Sequence, residues 1–309
     1  MARIFPLILL LILSSCLNAP RNNKFDPRNP DKITIYGTCV EFDSSSLNGV
    51  NVYLVLDENI IKTDTSDDDG DYELNEIDPG VYSVRAEAKY YKPTILDAET
   101  LTAGMDAVHY FLYNSLHFED DPSGNPEPYS FQVKRGDWRI KDDMTQPAFH
   151  TTPHVYQGFY NDTAGYCLTV CAKTVQDFVA KTKLVVTTAS SSDWQAGIVF
   201  HFQDIGNYYL LQFSADTIRF LKVAGGIQTE LSSCSTSIPL GAWSDITVGS
   251  RYSMAFCYFN NTFQTAMIDN SFTQGFTGFW LSNRQPAEVT EINFDDLTFY
   301  PNISDTISH

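Results

Sequence analysis

Basic residues are scarce. The 309-residue chain has 20 Lys and Arg against 38 Asp and Glu, a formal charge of −18. A nucleic-acid partner needs a basic footprint for its phosphates, so that class is excluded. Docking on an anionic lipid surface by charge is excluded for the same reason. Long apolar runs are missing too: beyond the N-terminus no segment offers the ~20 apolar residues that a membrane-crossing helix needs. Catalytic signatures are equally thin. There is no Gly-x-Ser-x-Gly elbow, no zinc-type cysteine or His-Glu-x-x-His spacing, and no glycine-rich phosphate loop. His150 and His154 are four apart, but Thr151-Thr152-Pro153 lies between them. A shared helix face is therefore not expected, and both are read as exposed loop histidines. What the chain does have is apolar content, 43%, with 14% aromatic residues. That is enough for a packed core, and the length fits two domains.

The N-terminus reads as an address. Ile4 to Leu13 is almost wholly apolar and follows Arg3. It is short for a transmembrane helix and ends in small residues, as secretory signals do. Leu13-Ser14-Ser15-Cys16 resembles the bacterial lipobox. That resemblance implies a signal peptide over 1–15, cleavage before Cys16, and acyl chains on that cysteine. Several chains hold a protein on a membrane without a spanning helix. Leu17 stands where an aspartate favours inner-membrane retention in enteric bacteria. The expected location is the cell envelope, at the outer membrane or cell surface. Residues 16–31 are rich in Pro, Asn and charge and read as a tether.

Past the tether the pattern is strand-like. Ile33, Ile35, Gly37 and Cys39 alternate with Thr34, Tyr36, Thr38 and Val40, and Val50, Val52, Leu54 and Leu56 do the same. Alternation of this kind buries one face of a strand. Asn48-Gly49, Asp69-Gly70 and Pro79-Gly80 punctuate the runs as turns. A small β-sandwich is expected over 32–113. The ordered signals Ile35-Tyr36-Gly37, Gly49-Val50-Asn51-Val52, Thr65 to Asp69-Gly70-Asp71-Tyr72 and Pro79-Gly80-Val81-Tyr82 resemble the carboxypeptidase-regulatory-like (transthyretin-like) domain. Lys89-Tyr90-Tyr91 departs from its usual Gly-Tyr. The resemblance implies a spacer module without catalysis. Thr65, Asp67, Asp69, Gly70 and Glu76 fall at calcium-loop spacing, but the first position lacks its Asp and the flanks are strands. A solvated turn is the expectation.

Residues 114–301 carry aromatic and β-branched strands with no amphipathic helix pattern, and 302–309 form a tail. One large sandwich is expected. Phe118-Glu119-Asp120-Asp121, Gly136-Asp137-Trp138-Arg139-Ile140, Ala196-Gly197-Ile198-Val199-Phe200, Asp204 to Leu210, Gly241-Ala242-Trp243, Gly275 to Phe279 and Asn293 to Leu297 resemble the laminin-G or concanavalin-A-like jelly roll. Within that class the pattern resembles the bacterial branch shared with 3-keto-disaccharide hydrolases and with some fructan-binding modules. The fold class is thus all-β, a small sandwich followed by a larger concanavalin-A-like jelly roll. The pattern implies fold more than activity.

Glycoside cleavage needs two carboxylates across the scissile bond. The Glu-x-Asp-x-x-Glu strand of jelly-roll glucanases is absent from this sequence. Ligand capture needs aromatic platforms and fixed polar groups, and the candidates are Trp138, Trp194, Asp204, Asn207, Tyr208, Trp280 and Arg284. Asp204 to Asn207 also reads as a hairpin turn. Asp120 and Asp121 end the first strand, while Asp295 and Asp296 lie on the last. If those strands are neighbours, four acids need a cation, and a structural calcium (Ca2+) is expected there. Past Cys16 an odd number of cysteines remains. Cys167 and Cys171 on one strand lie roughly 13 Å apart, too far for a bridge, which needs less than about 7 Å. Pairing of either with Cys234 or Cys257, and buried free thiols, both stay open. Asn161, Asn260 and Asn302 begin glycosylation sequons that matter only in a eukaryote. The expected function is a surface-tethered, non-catalytic lipoprotein that binds a carbohydrate or an extracellular protein. The alternatives are a glycoside hydrolase of the 3-keto-disaccharide type and a structural envelope lipoprotein.

Overall fold

The structure is a computed structural model, and it describes residues 32–103, 106–160, 165–189, 192–283 and 289–301. The signal peptide, Cys16, the tether, the tail, Asn161, Asn302 and Arg284 lie outside the described residues. Every regular element among the described residues is a strand. The chain divides into two compact units. The first comprises Met1–Val40, Ser46–Glu87 and Pro93–Phe111; the second comprises Glu41–Ser45, Ala88–Lys92 and Leu112–His309.

The first unit has seven strands: β1 (Ile33–Glu41), β2 (Asn51–Leu56), β3 (Asn59–Thr65), β4 (Asp71–Ile77), β5 (Gly80–Glu87), β6 (Thr94–Leu101) and β7 (Ala107–Tyr113). They form a three-stranded sheet β4-β1-β7 and a four-stranded sheet β3-β2-β5-β6. The period-two pattern sets the core, because Ile33, Ile35, Val50, Val52, Leu54, Tyr72, Leu74, Val84 and Ala86 are buried while their neighbours along each strand are wet. The acidic turn before β4 is built by Asp67. Its carboxylate accepts the N–H groups of Asp69 and Asp71, both at 3.0 Å. Gly70 takes φ +81° there, and a Cβ would lie 2.4 Å from the Cys39 carbonyl oxygen. The Asp67 oxygen is thus used on backbone donors, which is the ordinary work of an Asp in a turn.

The second unit has fourteen strands: β8 (Phe131–Arg135), β9 (Asp137–Asp142), β10 (His154–Tyr160), β11 (Cys167–Val175), β12 (Phe178–Ala189), β13 (Trp194–Asp204), β14 (Asn207–Ser214), β15 (Thr217–Ala224), β16 (Ile227–Ser235), β17 (Ser244–Arg251), β18 (Met254–Phe259), β19 (Thr262–Ile268), β20 (Gly275–Asn283) and β21 (Thr290–Pro301). Two antiparallel seven-stranded sheets result, β19-β18-β17-β12-β21-β10-β9 and β16-β15-β14-β13-β20-β11-β8. Aromatic residues fill the space between them. Phe279 of β20 stacks on Phe294 of β21 with centroids 4.0 Å apart, and Phe178 of β12 meets Phe200 of β13 edge-on at 6.1 Å. Each such ring removes a large apolar area from water.

Several expectations are corrected by this core. Trp138 is not a surface platform: it is 4% exposed and packs on Tyr156, Phe279 and Phe294. His150 is not an exposed loop residue. It is buried, stacked on Trp243 at 4.6 Å, with Nδ1 3.5 Å from the Asp295 carboxylate. The cysteines of the described residues are all free, and Cys39, Cys167, Cys171 and Cys257 are buried. Burial pushes the Cys167 thiol up to about 11 and the Cys171 thiol to about 12, so they sit as neutral, apolar fillers.

Candidate functional site

Because β-strand side chains alternate, the residues between those that fill the core point to the other face of the second sheet. On that face the register lines up one transverse row: Arg135 opposite Leu168, Leu168 opposite Trp280, Trp280 opposite Gly197, Gly197 opposite Gln212, Gln212 opposite Arg219, and Arg219 opposite Ser233. A second row runs beside it through Gln132, Val170, Gly278, Val199, Leu210, Leu221 and Glu230. Leu168, Val170, Val199, Phe202, Tyr208, Leu210, Leu221, Val223 and Trp280 bury one another as a second apolar cluster, with Tyr166 and Phe276 packed against it. The sheet therefore carries an apolar layer on both faces.

Polar groups stand at one side of that apolar floor. A cavity of about 430 Å³ is lined by Gln195, Gln212, Arg219, Leu221, Gln228 and Glu230. Arg219 Nη1 lies 3.6 Å from Glu230 Oε2, and Ser233 donates to Glu230 Oε1 at 2.7 Å. Gln212 Nε2 donates to Gln195 Oε1 at 3.4 Å. One buried donor on this face, Arg219 Nε, has no acceptor among the described residues, while the Trp280 indole N–H is directed at the Tyr208 hydroxyl. At the other end of the row Arg135 lies over the Tyr166 ring at 4.4 Å, and Tyr166 stacks on Trp280 at 6.1 Å. Gly197 keeps the middle of the row low. A Cβ there would come within 2.5 Å of Leu210 Cδ1 and 2.6 Å of the Leu211 carbonyl oxygen.

The expected ligand residues fare differently from one another. Tyr208 and Trp280 lie on this face, although they are only 4% and 6% exposed and form floor rather than walls; burial pushes the Tyr208 hydroxyl up. Asp204 and Asn207 make the hairpin between β13 and β14. Asp204 Oδ1 accepts the Gly206 N–H at 2.7 Å and Asn207 Nδ2 at 3.0 Å. Asn207 Oδ1 in turn accepts the Gly225 N–H at 3.1 Å, tying this turn to the one between β15 and β16. Both residues thus shape the face rather than project onto it. Trp194 is 3% exposed and lines a separate cavity of about 220 Å³ with Ser192, Asp193, Ser214, Ala215 and Asp216. The sequence reading missed Gln195, Gln212, Arg219, Gln228, Glu230 and Arg135. Two of them carried a usable signal: Gln212 lies four residues after Tyr208 and so shares its face, and Gln212 and Arg219 flank the Ala215-Asp216 turn symmetrically.

The four aspartates expected around a cation sit in separate surroundings. Asp120 accepts from the Tyr90 N–H at 2.6 Å and lies 3.1 Å from His117 Nε2. Asp121 accepts from Asn125 at 3.1 Å. Asp295 is fully buried, accepts the Thr151 N–H at 2.9 Å and faces His150. Asp296 accepts the Thr151 hydroxyl at 2.6 Å and pairs with Lys92 and Lys183. Among the described residues no three His, Cys, Asp or Glu side chains gather as a metal cage. Repulsion at this seam is relieved by cations and protons of the chain itself. Despite desolvation, hydrogen bonds from Lys92 and Thr151 hold Asp296 low. Glu119 is pushed up to about 7, chiefly by burial and also by Asp295 and Asp296. Desolvation opposes a charge on His150, but the Asp295 carboxylate and two backbone carbonyls raise it to about 9.

The first unit has a larger cavity, about 580 Å³, lined among others by Tyr36, Thr38, Asp64, Asp67, Asp71, Tyr72 and Glu73. Its acids already serve the strands: Asp71 accepts from Thr38 at 2.7 Å and Asp64 from the Glu73 N–H at 2.6 Å.

Residues 34–111 match the family model of the carboxypeptidase regulatory-like domain. No curated protein matches the chain. Among solved structures, a carbohydrate-binding module (CBM66) from Bacillus subtilis is 16% identical, covering 55% of this chain and 95% of its own, with a TM-score of 0.46. The cellulose-induced protein Cip1 is 12% identical, covering 60% and 95%, also at 0.46. An alginate lyase of polysaccharide lyase family 7 is 10% identical, covering 52% and 81%, at 0.39.

Proposed function

We propose that this chain is an exported, lipid-anchored protein that holds a carbohydrate on the outer face of the β16-to-β8 sheet without cleaving it. One observation carries the reading: a nearly buried apolar cluster containing Trp280 and Tyr208 borders a cavity of amides, a guanidinium and a carboxylate. A sugar presents an apolar C–H face and a fringe of hydroxyls, which is the complement of such a surface. Among the described residues lining the cavity, Glu230 is the single carboxylate, and it is engaged by Arg219. Glycoside hydrolysis asks for two across the bond, which favours grip over turnover.

The small first unit serves as a spacer, and acyl chains on Cys16 fix the protein to the envelope, at the outer membrane or cell surface. A glycan array probed with the full chain tests the reading, with a product assay on every hit. The expected result is retention without new reducing ends, lost in Gln212→Ala. An array with no hits refutes it. Labelling with an alkyne fatty acid, present in the wild type and absent in Cys16→Ser, tests the anchor.

A further inference from the structure

We infer that the bound glycan is a polyuronate, a sugar chain bearing carboxylates, lying across the strands with its acids on Arg219 and Arg135. This rests on the binding reading above and names its ligand class. The argument begins with the balance of hydrogen-bonding groups. On the two rows the charged side chains are Arg135, Arg219 and Glu230, two positive and one negative, in a chain whose overall charge is −18. Neither guanidinium donates a hydrogen bond among the described residues: Arg219 has an ion contact at 3.6 Å and a buried Nε without an acceptor, while Arg135 only covers the Tyr166 ring. Trp280, between them on the row, turns its indole N–H toward the Tyr208 hydroxyl, which leaves the two guanidinium groups as the donors without a hydrogen-bond acceptor.

A surface with donors to spare selects a ligand rich in acceptors. Hydroxyls both give and take, so a neutral sugar would satisfy these groups while still needing acceptors for its own protons. A carboxylate only accepts, and it meets the planar guanidinium fork with two parallel bonds. The two arginines are on strands five ladder steps apart, about 24 Å along a flat sheet at the usual spacing. That separation fits two acids of one extended chain, with the apolar floor under the rings between them. Asp193 and Asp216 stand beyond Gln195 at the strand ends.

The test uses the full chain in detergent and four polymers: polygalacturonate, its fully methyl-esterified form, alginate, and neutral xylan. Affinity electrophoresis and calorimetry read binding. At least one acidic polymer is expected to bind about tenfold or more tighter than the ester, to weaken with salt, and to lose about tenfold in Arg219→Gln and in Arg135→Gln. Arg135 is exposed, so its variant keeps the fold; a melting temperature within a degree of the wild type confirms it. Equal binding of acid and ester overturns the inference, as do arginine variants that bind like the wild type. Binding of xylan alone, lost in Gln212→Ala, overturns the inference and leaves the broader reading standing. No binding to any glycan overturns both.

Discussion

Replacing Glu119 by Gln makes the second unit more stable at pH 8 and leaves it unchanged at pH 4.5. Glu119 is half-buried, and its Oε2 accepts the His154 N–H at 2.9 Å, a bond that the Gln carbonyl oxygen can keep. Its Oε1 is buried without a donor. Its ionisation moves from 4.5 to about 7 on folding. The folded state therefore holds a proton that the unfolded state has released between those two values, and stability falls as pH rises through that window. At 1.36 kcal/mol per pH unit the ceiling is about 3 kcal/mol, and partial solvent contact reduces it to about 1–2 kcal/mol. All four tryptophans belong to the second unit, so their fluorescence in urea reports its unfolding. His150, raised to about 9, adds a loss of the same sign between 6.5 and 9, but it is present in both proteins and cancels in the difference. A gap between variant and wild type that does not change with pH refutes the reasoning. So does a melting temperature at pH 8 that calcium raises in the wild type only, since a cation would then be doing what the proton is argued to do.

Other outcomes follow from the same geometry. Gly197→Val should destabilise by about 3 kcal/mol or more in urea titrations, because even its Cβ meets Leu210 and Leu211 at 2.5–2.6 Å; a variant within about 0.5 kcal/mol of wild type contradicts the packing. Phe279→Ala should cost about 3–5 kcal/mol, as it removes the ring stacked on Phe294. Burial works against the Asp269 charge, but Lys222, Ser271 and Tyr209 outweigh it and hold the carboxyl well below the ordinary 3.8. Its contribution is therefore present above pH 3.8 and fades below it, and Asp269→Asn should flatten the acid limb of the stability profile. Asp67→Ala should lower the first unit's melting point by a few degrees with no dependence on calcium, since its oxygen caps backbone N–H groups.

The all-β class was legible because period-two patterning is local: Val50-Asn51-Val52 and its neighbours announce a strand with one wet face without reference to anything distant. The binding face was harder to see for a physical reason. In β14 every residue from Tyr208 to Ser214 is buried, so alternation vanishes from the sequence and both faces read as core. Tyr209, Leu211 and Phe213 are interior to the two sheets, whereas Tyr208 and Leu210 bury in a separate cluster on the other side. Only the register across six strands, which no local pattern encodes, separates the two sets. Trp138 and Trp280 illustrate the cost. Both follow aromatic strand signals, yet the ladder sends one between the sheets and the other to the opposite face. The amides and arginines that finish the site look like ordinary solvated positions until Gln212 and Arg219 are seen as ladder partners. In a sheet apolar on both sides, then, polar residues are the better guide to function: each one kept on an otherwise apolar face costs desolvation, and a ligand that supplies its partner recovers that cost.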